Sequence, residues 1–221
     1  MPQSLGFDVA HLLAGSMLVL SFVLLYQARI SAVLNVFALQ AIALSLSVAW
    51  QSLIQDAPHL LVTAAIALLV KGAIIPAALH RIVRQLGIHR EIEEVIGAGP
   101  TMLTGLGLVA LSILLVMPVG PSVSVLVRED LAFALAIILL GMLMMITRRN
   151  AVGQVIGFMS LESGLILAAT GARGMPLVVE ISVAFSVLIG FIVIGIFLFR
   201  IRERFDTVDV AALDTFQGGR R

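Results

Sequence analysis

Between Arg149 and Arg173 the chain carries a single ionisable side chain, Glu162, in the stretch AVGQVIGFMSLESGLILAAT. A charge in the middle of so long an apolar segment costs about 2.5–3.5 kcal/mol on insertion scales if the segment crosses a bilayer, and groups kept there pair with one another or handle protons. Lys71, the only lysine, lies in a second such stretch, VTAAIALLVKGAIIPAALHRI. It precedes Arg81 by ten residues, roughly 15 Å of helix rise, and Glu162 follows Arg149 by thirteen, so both belong near mid-depth. A lysine at that depth cannot easily snorkel to the interface and needs a counter-charge or water. Two readings are open. The residues form an ion pair that only fixes helix packing, or they lie on a hydrated chain of protonatable sites.

Other polar groups are secondary. Gln40 and Asn35 in one apolar run and Gln154 in another suit interhelical hydrogen bonds, and Gln40 and Asn35 also suit a polar axis. Pro76 removes a backbone donor five residues after Lys71, so the run should kink there, either as dry packing or as an opening for water. Glu180 follows Pro176 near the start of the last apolar run, where a carboxylate complements the helix dipole. Gly153 and Gly157, continued by Gly164 and Ala168, form a small-residue stripe for close helix packing. His11, His59, His80 and His89 leave a bis-histidine haem open without supporting it, and no phosphate loop, nucleophile elbow or zinc motif occurs. The absence of cysteine excludes disulfides and thiolate metal sites in this chain.

The elements that hold these residues are membrane spans. Of 221 residues, 60% are hydrophobic and 12% charged, against about 25% charged in soluble domains. Runs of about 20 apolar residues, each able to cross a hydrocarbon core of about 30 Å, use up nearly the whole length. The reading is an all-α polytopic membrane protein with seven helices at 7–27, 31–54, 58–81, 101–120, 129–147, 151–171 and 176–199. The N-terminal MPQSLGFDVAH lacks the basic start of a signal peptide, so the first run is expected to be a retained span. Loops after odd-numbered spans hold Arg29, Arg81, Arg84, Arg90, Arg148 and Arg149, and the tail adds Arg200, Arg202, Arg204, Arg220 and Arg221. The other side has only Arg128 and Arg173. Positive loops stay inside, so the N-terminus is expected outside and the C-terminus in the cytoplasm. The loop RQLGIHREIEEVIGAGP reads as a solvated connector or a docking surface.

Aligning Ala38-Leu39-Gln40 with Ser160-Leu161-Glu162 superposes spans one to three on five to seven, a possible parallel three-helix repeat of the kind transporter folds carry. The expected units are 1–83, a first three-helix unit; 84–128, a cytoplasmic loop with a linking span; 129–204, a second three-helix unit; and 205–221, a cytoplasmic tail.

The segment RRNAVGQVIGFMSLESGLILAA, with a further span and an arginine-rich tail, resembles the K subunit of respiratory complex I and the C subunit of multisubunit sodium/proton antiporters. With the extra spans in front and the KxxxIP element at Lys71–Pro76, the whole chain resembles the hydrogenase-4 component E family. That family is found in group 4 hydrogenase and formate hydrogenlyase complexes. The resemblance implies that Glu162 occupies the place of the proton-path glutamate in the K subunit's second span, and that Lys71 matches a lysine of the larger family. The K subunit has a second glutamate deep in its third span. Alignment on Ile181-Ser182 puts Val187 there, and Glu180 lies about two turns nearer the outer face.

The implied function is that of a non-catalytic membrane subunit of a complex I-related assembly in a prokaryotic inner membrane, with no cofactor of its own. Glu162, Lys71, Glu180 and Gln40 would lie on a proton or Na⁺ path. Its partners would be antiporter-like and hydrogenase-like subunits and the lipid bilayer, with no nucleic acid. A free-standing secondary transporter and a structural spacer are the alternatives. Coupling ion, electron donor and acceptor, retained hydrogenase activity, and contact between Lys71 and Glu162 are not legible in the sequence.

Overall fold

The computed structural model describes residues 3–85, 97–118 and 125–171, together with 188, 189, 192 and 195. Within them the protein is all-α, with helices α1 (Gln3–Tyr26), α2 (Ile30–Gln55), α3 (His59–Ala67), α4 (Ile75–Gln85), α5 (Ala98–Val116), α6 (Val125–Thr147) and α7 (Ala151–Gly171). A π-helical turn, Leu68–Ile74, joins α3 to α4, so the three pieces form one rod. Six helices are therefore long and apolar enough to cross a membrane among the described residues. Of the seventh expected span, 176–199, only Leu188, Ile189, Ile192 and Gly195 are described, all helical.

Element ends follow local chemistry. The fourth span, expected at 101–120, stops at Val116; Met117 still bonds back to the Ile113 carbonyl, and Pro118 has no N–H to continue the ladder. The fifth begins at Val125, so Arg128, Glu129 and Asp130 lie inside α6. Between α2 and α3, Asp56 adopts the left-handed conformation at φ 54°, its N–H capping the Ser52 carbonyl. Pro58 then starts the next helix, where a missing donor costs little.

Contacts between helix ends fix their directions. Trp50 Nε1 donates to the Gly6 carbonyl at 2.8 Å, Gln55 Nε2 to the Thr170 carbonyl at 2.8 Å, and Arg128 to the Met117 carbonyl at 3.2 Å, all at one end of the bundle. Arg29, Arg81, Arg148 and Arg149 sit at the opposite end. Arg148, counted above among the loop charges, is not solvated. It is buried at 1% exposure and donates to the Leu25 and Gln27 carbonyls at 2.7 and 2.8 Å, closing the last turn of α1.

Close approach seats α7 on α6. A Cβ on Gly141 would lie 2.6 Å from the Leu161 backbone nitrogen, and one on Gly164 would lie 2.8 Å from the Ala134 carbonyl oxygen. Gly157 meets Gly141 and Met145 in the same seam. Gly153, expected in that stripe, instead meets Arg148 and Asn150, and its N–H is capped by Asn150 Oδ1 at the start of α7.

The apolar core is split in two. One cluster contains Met17, Ala43, Leu44, Ala67, Ile137 and Ile166; the other contains Leu24, Phe37, Ile75, Leu140, Met144 and Met159. On α1, α2, the π-helical rod and α7, the residues between these clusters are Ser21, Gln40, Lys71, and Ser160 to Ser163. All of these polar side chains are buried. On α6, Ile137 and Leu140 follow each other with no polar residue between them.

Candidate functional site

The polar layer contains the buried ion pair. Lys71 Nζ lies 3.3 Å from Glu162 Oε2, 3.1 Å from Ser163 Oγ and 3.3 Å from the Met159 carbonyl oxygen. Lys71 is 0% and Glu162 3% exposed, so neither charge borrows solvation from the surface. Two acceptors from one turn of α7, Ser163 Oγ and the Met159 carbonyl, take hydrogen bonds from the ammonium group, and Glu162 Oε2 adds the ion-pair contact. Ser163 keeps its own donor bond to the Met159 carbonyl at 2.8 Å, so it can accept from Lys71 without leaving its proton unplaced.

The backbone explains why the lysine stands where it does. Ile75 N–H bonds back to the Val70 carbonyl, five residues earlier, which is the π register. In that register the next donor would be residue 76 and its acceptor the Lys71 carbonyl, but Pro76 has no N–H. The kink expected at Pro76 is thus a widened turn that ends in the α-helix from Ile75 onward. Such single turns concentrate at functional sites.

Gln40 belongs to the same layer without touching the ion pair. Its Nε2 donates to Ser21 Oγ at 2.8 Å and to Ser160 Oγ at 3.0 Å, tying α2 to α1 and α7. Its Oε1 is buried and has no hydrogen-bond partner among the described residues. Of the sequence candidates, Lys71 and Glu162 therefore meet, Gln40 stands beside them through Ser160, and Glu180 lies outside the described residues. Asn35, suggested as a further member of the axis, is exposed, because five residues along a helix from Gln40 turn it to another face. Gln154 is also exposed and donates to the Arg148 carbonyl at 3.1 Å, bracing the α6–α7 connection.

Ser21, Ser160, Ser163 and Arg148 were missed as site or framework residues. Hydroxyls are common in membrane helices, so their type carries no signal. The available clue was spacing: Ser160 and Ser163 flank Glu162 and, three apart, share a face of α7. Of the histidines, His80 Nδ1 meets the Pro76 carbonyl at 3.1 Å. His11 Nδ1 lies 3.1 Å from Asp130 and its Nε2 3.5 Å from Glu129, joining α1 to α6. Among the described residues no group of His, Cys, Asp and Glu is arranged to hold a metal ion.

Six apolar helices among the described residues, around a buried charged layer, define a multi-pass α-helical membrane protein, and comparison with known proteins adds a relationship. The chain is 29% identical over 217 residues to hydrogenase-4 component E of Escherichia coli (strain K12), covering 96% of this chain and 99% of that one. The Shigella flexneri hydrogenase-4 component E matches equally. An uncharacterized protein of Mycobacterium tuberculosis, Rv0085, is 28% identical over 208 residues, 90% of this chain and 92% of that one. The chain is thus homologous to hydrogenase-4 component E along nearly its whole length, as its resemblance implied. No protein-family model matches it, and no solved structure does.

Proposed function

We propose that this chain is a non-catalytic integral subunit of a hydrogenase-4-like, complex I-related assembly in a prokaryotic inner membrane, and that Lys71 and Glu162 form one station on its proton or Na⁺ path. The observation that carries the reading is the fully buried Lys71–Glu162 pair, set on a π-helical turn in a polar layer that splits the core. Full-length homology to hydrogenase-4 component E supplies the context. Redox chemistry belongs to partner subunits, with antiporter-like and hydrogenase-like subunits as neighbours. Gln40 extends the layer on one side, and Glu180 is the candidate for a continuation.

The pair suits ion transfer for a physical reason. Buried ion pairs contribute little net stability compared with well-packed apolar groups, so stability alone is a weak reason to hold one at mid-depth. A cation and an anion in contact exchange a proton with little net charge displacement. A passing charge that favours one partner loosens the other. The structural-tie reading draws on the two hydrogen bonds that Lys71 makes to α7, which a packing device would also have.

Glu162→Gln and Lys71→Met in the intact host assembly separate the two readings. Proton or Na⁺ translocation should fall at least tenfold in both variants while subunit assembly persists. Normal translocation in assembled complexes would leave only the structural tie. Solute uptake by the purified chain alone in liposomes would sink the subunit reading in favour of a free-standing transporter.

A further inference from the structure

The Gln40 amide is satisfied at one end only, and its neighbours dictate which. Ser21 donates its proton to the Met17 carbonyl at 2.9 Å, so toward Gln40 its oxygen can only accept. That places Nε2 against Ser21 and Ser160 and leaves Oε1 without a hydrogen bond from either. Gln40 is 0% exposed, and Oε1 receives no hydrogen bond from the described residues. A carbonyl oxygen buried among apolar helices calls for a donor, and internal water is the usual one where two or more polar partners converge.

Such partners lie in the same layer. Ser160 and Ser163, three residues apart on one face of α7, have Cβ atoms about 5–6 Å apart. Ser163 Oγ holds Lys71 Nζ at 3.1 Å, and Ser160 Oγ holds Gln40 Nε2 at 3.0 Å. Two hydrogen bonds of about 2.8 Å through one water oxygen span a gap of that size. We propose that Gln40 Oε1, with the Ser160 and Ser163 hydroxyls, forms the binding site of a single internal water. This water joins the Lys71–Glu162 pair to Gln40 and Ser21 in one hydrogen-bonded line across α7, α2 and α1.

The chemistry of the site selects its occupant. Oε1 repels an anion, and Nε2 already engages the Ser21 and Ser160 oxygens, which leaves a metal cation too few free ligands. A small neutral donor fits. Gln40 is then a positioning residue: an amide neither gives nor takes a proton near neutral pH, but it fixes a water that does. That use as a relay rests on the proposed ion path; the water site does not.

The test uses the full-length chain in lipid bilayers with ¹⁵N in its glutamine side chains, and NMR in which only water is polarised at the start. The Gln40 Nε2 signal is assigned by its loss in Gln40→Met. It should gain water magnetisation nearly as fast as the exposed Gln154 signal, although Gln40 is buried. Build-up no faster than that of backbone amides in the dry cluster, such as Leu44 and Val48, would overturn the proposal. This comparison is made on the native chain, so it does not depend on a variant that folds. A second arm follows translocation in the host assembly, where Gln40→Met should lower the rate three- to tenfold at unchanged assembly. An unaffected rate in Gln40→Met, beside a loss in Glu162→Gln, would overturn the link between water and pair. An unaffected rate in Glu162→Gln would sink the ion-path reading alone, and the NMR comparison would still decide the water site.

Discussion

Removing both partners of the Lys71–Glu162 pair should cost well below the sum of removing each alone. At 3.3 Å and an effective dielectric of about 20, the attraction is 332/(20 × 3.3), about 5 kcal/mol. Desolvation costs several kcal/mol for each ion and offsets most of it, so the intact pair is near neutral for stability. Lys71→Met forfeits the attraction but leaves Glu162 buried without its lysine, for about 3–5 kcal/mol. Glu162→Gln should cost less, about 1.5–3 kcal/mol, because the ammonium group keeps Ser163 Oγ and the Met159 carbonyl as acceptors. In the double variant no charge remains, and the loss should fall below the sum of the singles by at least about 2 kcal/mol. Unfolding of the purified chain in mixed micelles, titrated with a denaturing detergent, measures all four corners of the cycle. Additivity within about 0.5 kcal/mol would refute the contact, since independent sites behave that way.

The remaining predictions use the same folded chain. Arg148→Ala should destabilise it by about 3–5 kcal/mol, because the Leu25 and Gln27 carbonyls lose charge-assisted donors in a buried site. Arg148→Lys should restore less than half of that, because both bonds leave Nη2 at the far tip of the guanidinium, beyond the reach of the shorter lysine side chain. Gly141→Ala forces a Cβ to 2.6 Å from the Leu161 nitrogen and should cost at least about 1–3 kcal/mol. Gly107→Ala meets nothing within 4 Å and should be neutral or stabilising by up to about 1 kcal/mol. Equal effects at the two glycines would contradict the α6–α7 seam. The chain has no cysteine, so single cysteines report orientation directly. In intact cells Asp56→Cys should react with an impermeant thiol reagent, and Arg149→Cys only after permeabilisation; the reverse pattern would invert the topology read from the charges.

Much of this was legible in the sequence because a membrane imposes length and polarity rules on every helix. Apolar runs gave the spans to within a few residues, and the isolation of Lys71 and Glu162 marked them before any fold was known. Depth came from counting residues to the nearest arginine, and it placed both in one layer. Counting could not show that they touch, because contact depends on the rotation of each helix about its axis. At Lys71 that rotation is changed by a π-helical turn, whose only sequence trace is Pro76 five residues on. The burial of Arg148 was not legible for a related reason: counting charges assigns an arginine to one side of the membrane, and only the fold shows that this one meets the open carbonyls of α1. Ser160 and Ser163 carried no signal of their own until Lys71 and Gln40 were set against them.

The direction of the polar layer bears on what the pair could do. A route straight through the membrane would stack polar side chains along one helix at intervals of three and four residues, from one end to the other. Here the α2 residues between Ile30 and Gln40 on the core side are Val33, Leu34 and Phe37, all apolar and buried. On the other side of the layer, Ala43, Leu44 and Val48 join Met17 and Ile166 in the second cluster. Ser45, Ser47 and Ser52 are buried on that side too, but Ser45 donates to the Ala64 carbonyl and Ser52 to the Ala57 carbonyl, both at 2.8 Å, and Leu44 stands between Gln40 and Ser47. Polar groups instead succeed one another sideways: Lys71 on the π-helical turn, Ser163 and Ser160 on α7, Gln40 on α2, Ser21 on α1. That line runs at one depth, from Lys71 to Ser21, and does not connect the two ends of the bundle. On the proposed ion-path reading, a chain built this way would pass ions to a neighbouring subunit and not carry them across the membrane alone, so that reading is tested in the host assembly.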